Sequence, residues 1–174
     1  MSSAPEYRLR AYRFPAEADF GGHVAGALER MLLVGGSDLC DALFVMRDAR
    51  AGEPVAIDLR TASAGGTLAP MLDFRLDERR RRAVTNDTLA PGAGGVDRAV
   101  VEEVAAALAP GGALLAVVTA DGPAHALADA AARTGGRLVA DEPAGAGRIA
   151  DLQPGELARV AREPERKATS MNTT

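Results

Sequence analysis

Few residues in this chain are equipped to do chemistry. There are two histidines, His23 and His125, and one cysteine, Cys40. A catalytic or metal-bound histidine needs a partner at defined spacing, such as a second His four residues along the same helix. Neither histidine has a His or Cys nearby, and each falls near the start of a predicted helix, the ordinary place for a solvent-facing side chain. Asp38 and Asp41 flank Cys40, and their negative charge disfavours a thiolate, so a small core residue is expected there rather than a nucleophile. Asp38, Asp41 and Asp48 offer hard oxygen ligands, but their spacing matches no calcium loop, and turn or capping roles explain them equally well. Pro91-Gly92-Ala93-Gly94-Gly95 precedes a helix but has the wrong glycine spacing for a phosphate cradle and no Lys-Ser/Thr after it. The chain carries no G-x-S-x-G nucleophile elbow. No catalytic residues, no metal site and no cofactor are therefore expected, and a non-enzymatic role is favoured.

The feature that stands out is basic. Residues 75–82 hold five arginines, Arg75, Arg79, Arg80, Arg81 and Arg82, against Asp77 and Glu78, a local charge of +3. Arginine forks suit carboxylate and phosphate partners, so these five are the candidate partner-binding residues. The competing reading is a solvated helix face whose arginines pair with acidic neighbours.

Composition narrows the partner. The chain has 174 residues, 47% of them hydrophobic, enough for one domain with a real core. Aromatics are 3% with no Trp, which argues against a base-stacking platform for nucleic acid. The net charge of −4 argues the same way. A single cysteine allows no internal disulfide and suits a reducing compartment. The opening residues lack the basic and apolar regions of a secretory signal, and no apolar run approaches the roughly 20 residues that cross a bilayer. The expected setting is the cytoplasm, without membrane insertion.

The elements that must position these residues follow from periodicity. Tyr7 to Phe14 alternates as a half-buried strand ended by Pro15. Phe20, Val24, Leu28 and Met31 stripe a helix capped by Asp19 and stopped by Gly35-Gly36. The apolar run 42–46 predicts a strand buried on both faces. After a turn, Val55, Ile57 and Leu59 alternate with Ala56, Asp58 and Arg60, predicting the return strand of a hairpin with one solvated side. Residues 61–95 read as an irregular insertion holding a short helix around 76–84. Asp97 caps a helix striped by Val100, Val101, Val104 and Leu108, and Ala113 to Val118 is a second central strand. A third helix, capped by Asp121, leads through Gly135-Gly136 to a short edge strand at 138–140. Glu156 to Arg162 predicts one or two helical turns before Pro164.

The expected class is α+β, with the first six regular elements forming a ferredoxin-like split βαβ core (β-α-β-β-α-β), an irregular insertion and an extra C-terminal α-β. The expected organisation is an N-terminal tail over 1–6, one domain over 7–142, and a largely disordered tail over 143–174. Three stretches carry a family resemblance: Leu43-Phe44-Val45-Met46-Arg47-Asp48, Ala107 to Leu115 through Pro110-Gly111-Gly112, and Thr134-Gly135-Gly136-Arg137-Leu138-Val139. On these the chain resembles small actinobacterial and other bacterial ferredoxin-like domains of unknown function, over roughly residues 7–142. The resemblance implies a fold and brings no activity and no site residues. Some relatives hold a glycine-rich apolar insertion suggestive of membrane contact, whereas residues 61–95 here are charged.

A sheet of that kind, with helices on one face, leaves the other face to solvent, an insertion or a second subunit. The favoured expectation is a non-catalytic interaction or regulatory module acting as a homo-oligomer, with an acidic protein partner. A small-ligand sensor is the alternative. A dimeric α/β-barrel enzyme comes third, with His23, His125, Arg10 and Tyr12 as its polar candidates.

Overall fold

The computed structural model describes residues 6–16, 18, 23–34, 39–50, 52–58, 78–89, 96–120, 124–144, 149 and 155–162. Several expectations fall outside these residues: the caps Asp19 and Asp121, Asp38, the glycine-rich stretch 91–95, and the tail from 163 onward. The described chain is an α+β protein. Its strands are β1 (Tyr7–Phe14), β2 (Leu39–Arg47), β3 (Pro54–Asp58), β4 (Ala113–Ala120) and β5 (Arg137–Ala144). Its helices are α1 (His23–Val34), α2 (Glu78–Thr88), α3 (Arg98–Ala107), α4 (Ala124–Arg133) and α5 (Glu156–Arg162).

The strands form one sheet in the order β3-β2-β4-β1-β5, antiparallel at every pairing. β4 lies at the centre because Ala113 to Thr119 is fully buried and, apart from the Thr119 hydroxyl, apolar on both sides of the strand. β1 and β2 flank β4 and run parallel to one another, joined by α1. β4 and β5 likewise flank β1, joined by α4. β3 therefore stands at the sheet edge beside β2 alone. This corrects the expected grouping of the first six elements. The α4–β5 unit, expected as an appendage, contributes a strand beside β1, and β3 with α2 and α3 is inserted between β2 and β4.

Two clusters fill the two faces. On one, Tyr12, Phe14, Phe44, Ile57, Leu115 and Val117 of the sheet meet Val24 and Leu28 of α1 and Leu127 and Ala131 of α4. On the other, Leu9, Leu43, Val45, Ala56, Leu114 and Val118 meet Val101 and Val104 of α3 and Leu157 and Val160 of α5. The expected open face is thus covered. Ala56, expected on a solvated side, is buried beneath this second layer, since a methyl side chain lets a helix come close. The domain boundary expected at residue 142 also moves. β5 continues to Ala144, and α5 places Leu157, Ala158, Val160 and Ala161 in the core.

Local chemistry ends the helices where the sheet needs them to end. The Asp97 carboxylate accepts from the Ala99 amide at 2.9 Å and caps α3. Arg47 of β2 donates to the Leu108 carbonyl at 3.0 Å, and Arg13 of β1 donates to the Ala161 carbonyl at 3.0 Å. Each puts a cation on the negative, carbonyl end of a second-face helix. α4 closes differently. Gly135 takes φ of +83°, and the Gly136 amide donates to the Ala131 carbonyl at 2.8 Å. The second glycine has a separate reason, because a Cβ at Gly136 would lie 2.4 Å from the Phe14 ring.

Gly136→Ala must therefore displace a fully buried phenyl ring. The expected loss is about 1–3 kcal/mol by urea denaturation, the range for overpacking. An unchanged midpoint would mean that Phe14 does not pack on the backbone of Gly136.

Candidate functional site

The arginine run lies on α2, and α2 is fastened to the sheet edge. Among the described residues β3 is an edge strand, so alternate amides point away from β2 with no described strand to receive them. The Thr85 hydroxyl accepts from the Ala56 amide at 3.2 Å, and the Thr88 hydroxyl accepts from the Asp58 amide at 3.1 Å. Threonines three apart on a helix share a face and meet amides two apart on a strand, so α2 takes the place of a sixth strand. Val84 packs towards the first cluster and Leu89 towards the second, which seats the helix astride the edge.

The opposite side of α2 faces solvent. Arg79 and Arg82 are exposed, together with Asn86 and Asp87. Arg80 and Arg81 belong to the same helix, but their side chains, like all of Arg75, lie outside the described residues. The placement of these arginines works against the helix that holds them. Arg79, Arg80 and Arg81 fall in its first turn, where the macrodipole disfavours an exposed cation by roughly 0.3–1 kcal/mol. A helix this short is marginal alone. Val84, Thr85 and Thr88 dock it on the sheet edge.

A second polar group occupies the first face, at the end of the sheet where β1 starts and β4 ends. Arg8 and Arg10 converge on Asp141 of β5. The Arg8 Nε lies 2.6 Å from Asp141 Oδ1, and the Arg10 Nε lies 3.6 Å from the same oxygen. Arg8 also donates to the Asp141 carbonyl at 3.1 Å, and Arg10 to the Thr119 hydroxyl at 2.7 Å. Tyr12 lies next along this face and is 3% exposed. Burial pushes its phenol above its ordinary value; Arg10 acts downward and Asp141 upward. Arg10 and Tyr12 were visible as polar candidates. Arg8, Thr119 and Asp141 were not, because only the strand pairing brings residue 141 beside residues 8 and 10.

The remaining candidates stay apart. α1 starts beyond the end of β1 at Phe14, which pairs with Ala113, and α4 starts beyond the end of β4 at Ala120, which pairs with Tyr7. His23 and His125 therefore sit at opposite ends of the sheet, both exposed. Of the four polar candidates for a barrel enzyme, Arg10 and Tyr12 lie side by side on β1 while the histidines stand apart, and the sheet face that a second subunit would cover is filled by helices. Asp41 accepts from the Ala42 and Ile149 amides at 3.0 and 2.9 Å, tying the chain after β5 to the start of β2. Asp48 accepts from the Arg50 amide at 2.7 Å in the turn beyond the other end of β2. Those two aspartates stand about 23 Å apart along one strand. The side chain of Cys40 lies outside the described residues. Among the described residues, no three His, Cys, Asp or Glu side chains gather as a metal site, and no helix is long and apolar enough to cross a membrane. Compared with known proteins, the chain matches no family model, no curated protein and no solved structure.

Two outcomes follow from this geometry. Thr85→Val or Thr88→Val keeps the shape but leaves a β3 amide without its acceptor, so each should cost about 1–3 kcal/mol and speed exchange at the Ala56 or Asp58 amide. Valine variants as stable as the parent would place α2 off the edge. For Tyr12, the unfolded chain loses its phenol proton near pH 10.0 while the folded chain still holds it. Stability should therefore fall from about pH 10 upward until the buried phenol itself ionises, and Tyr12→Phe should remove that part of the fall. Melting curves between pH 8 and about 11 on both proteins check it, and parallel pH profiles would contradict it.

Proposed function

We propose that this chain is a non-catalytic interaction module that works as an oligomer and docks an acidic protein partner through α2. The observation that carries the reading is the seating of α2. Threonine hydroxyls hold one side of the helix against β3, while Arg79 and Arg82 stand exposed on the basic half. A helix fixed at a sheet edge presents its guanidinium groups pre-positioned, which lowers the entropy cost of pairing them with carboxylates. The acidic chain as a whole and its few aromatics favour a protein partner over nucleic acid. A cytoplasmic setting suits the single cysteine.

The core on which this sits is, in our reading, a ferredoxin-like split βαβ fold. The supporting pattern is β1–α1–β2 interleaved with β4–α4–β5, with β3, α2 and α3 as the insertion. The likeness to bacterial ferredoxin-like domains belongs to the same reading, and it places the arginine helix in the part of the chain added to that core. A small-ligand sensor is the second reading. Two guanidinium groups gathered on Asp141 beside Tyr12 and Thr119 favour it, as a place for a small anion.

Fluorescence anisotropy with a labelled polyglutamate peptide tests the module. Wild-type chain should bind it in a salt-sensitive way, and the double variant Arg79→Glu, Arg82→Glu should bind about tenfold or more weakly while still melting cooperatively. Equal binding by both proteins would sink the docking reading. Stabilisation of both proteins by phosphate or a small carboxylate, without peptide binding, would move the chain to the sensor reading.

A further inference from the structure

The two edges of the sheet are treated differently. The β3 edge is closed by the hydroxyls of α2. At the other edge, β5 is the longer strand, and among the described residues β1 is its one strand neighbour. Leu138 on β5 is 44% exposed, the large hydrophobic most open to solvent among the described residues. An edge of this kind offers backbone donors and acceptors to a further strand.

The irregularity in β5 selects which strand fits. The register with β1 slips between Ala11 and Tyr12, so Val139 is the extra residue. Val139 and Ala140 consequently both join the second-face cluster. Leu138 pairs with Tyr12 and Asp141 with Arg10, which puts both on the first face. Arg137 pairs with Arg13, whose guanidinium reaches α5, and Glu142 pairs with Leu9, which puts both on the second face.

Two antiparallel strands must oppose residues of the same face. For β5 against a copy of itself, one two-fold arrangement meets that condition over residues 137–142, with the axis passing between Val139 and Ala140. Arg137 then faces Glu142 of the partner subunit, Leu138 faces Asp141 of the partner subunit, and Val139 faces Ala140 of the partner subunit. A shift by one residue in either direction sets first-face side chains against second-face ones. In the matched arrangement, Arg137 lies opposite Glu142, which pairs with Arg159 at 3.2 Å in its own subunit and would be shared between the two guanidinium groups, and no like charges are opposed. Pro143, which donates no amide, falls at the end of the ladder. The ladder is thus short and self-complementary, which closes a dimer rather than propagating a fibre.

We propose that the outer edge of β5 pairs with the same edge of a second copy of this chain, joining two sheets about a two-fold axis. This supplies the interface for the oligomeric part of the reading above. It stands apart from the docking part, because α2 lies at the opposite edge. Native mass spectrometry and sedimentation of the full chain test it, using Arg137→Glu and Glu142→Lys made separately. Wild type should dimerise. Each variant alone opposes like charges twice, so its dissociation constant should rise about tenfold or more. An equimolar mixture of the two variants restores opposite charges at both contacts and should dimerise as wild type does, a rescue that damage to the fold cannot give. Amide exchange over 137–142 should slow as wild-type concentration rises. A monomeric wild type, variants that dimerise like wild type, or a mixture no better than its components would each overturn the interface. Loss of dimer with peptide binding intact would remove this interface and leave the docking reading standing.

Discussion

The structure depends on a strand that no water reaches. β4 places Leu115 and Val117 in one layer and Leu114, Ala116 and Val118 in the other, with β1 and β2 bonded along its two sides. Burying a Leu or Val side chain is worth about 1.5–3 kcal/mol, whereas an exposed ion pair such as Arg159 to Glu142 is worth about 0–1 kcal/mol. The apolar strand therefore decides the architecture, and the ion pairs adjust it. A strand apolar on both sides requires helices on both sides. α1 and α4 meet the first requirement, and α3 and α5 the second. Arg13 and Arg47 serve this closure, since each reaches out of the sheet to the carbonyl end of a second-face helix.

With both faces covered, the proposed contacts fall at the edges of the sheet. A sheet with one bare face would associate through that face, and its edges would matter less. Here the first edge is held by threonines on a helix whose other side is basic, and the second is a bulged strand whose charges complement their own two-fold image. The polar group around Asp141 belongs to neither edge device. Its arginines hold β5 to β1 through side chains as well as through the ladder, and they leave Tyr12 buried beneath them.

Much of this was legible in the residues, and what was not has a common physical cause. Period-two alternation located β1, unbroken apolar runs located β2 and β4, and the Asp97 and Gly135-Gly136 signals located the ends of α3 and α4. Each of these signals is local. Strand neighbours are not local. Nothing in Val55 to Asp58 distinguishes a strand inside a hairpin-built sheet from one at its edge until the Thr85 and Thr88 hydroxyls, roughly 30 residues away, are seen on its amides. α5 was hard to value for the same reason. Its seven residues hold four that are buried, a pattern that has meaning only against α3 and β5. Arg8 and Arg10 alternate as solvent-facing residues do, and their partner at position 141 is supplied by the fold. The arginine run was legible as a basic helix. Its docking on β3 was not, because two threonines among many carry no pattern of their own.

The central claim is that the second face is closed from within the chain by α3 and α5. Native-state hydrogen exchange on the full-length protein tests it most directly. The amides of residues 159–162, where α5 makes its own helical hydrogen bonds, should exchange slowly, within a few-fold of those in α3, because opening them exposes the same core as opening the sheet. Exchange of 159–162 at the rate of an unstructured tail, with β4 still protected, would contradict the account. The second face would then be open, and the edges would lose their claim to be where this protein meets its partners.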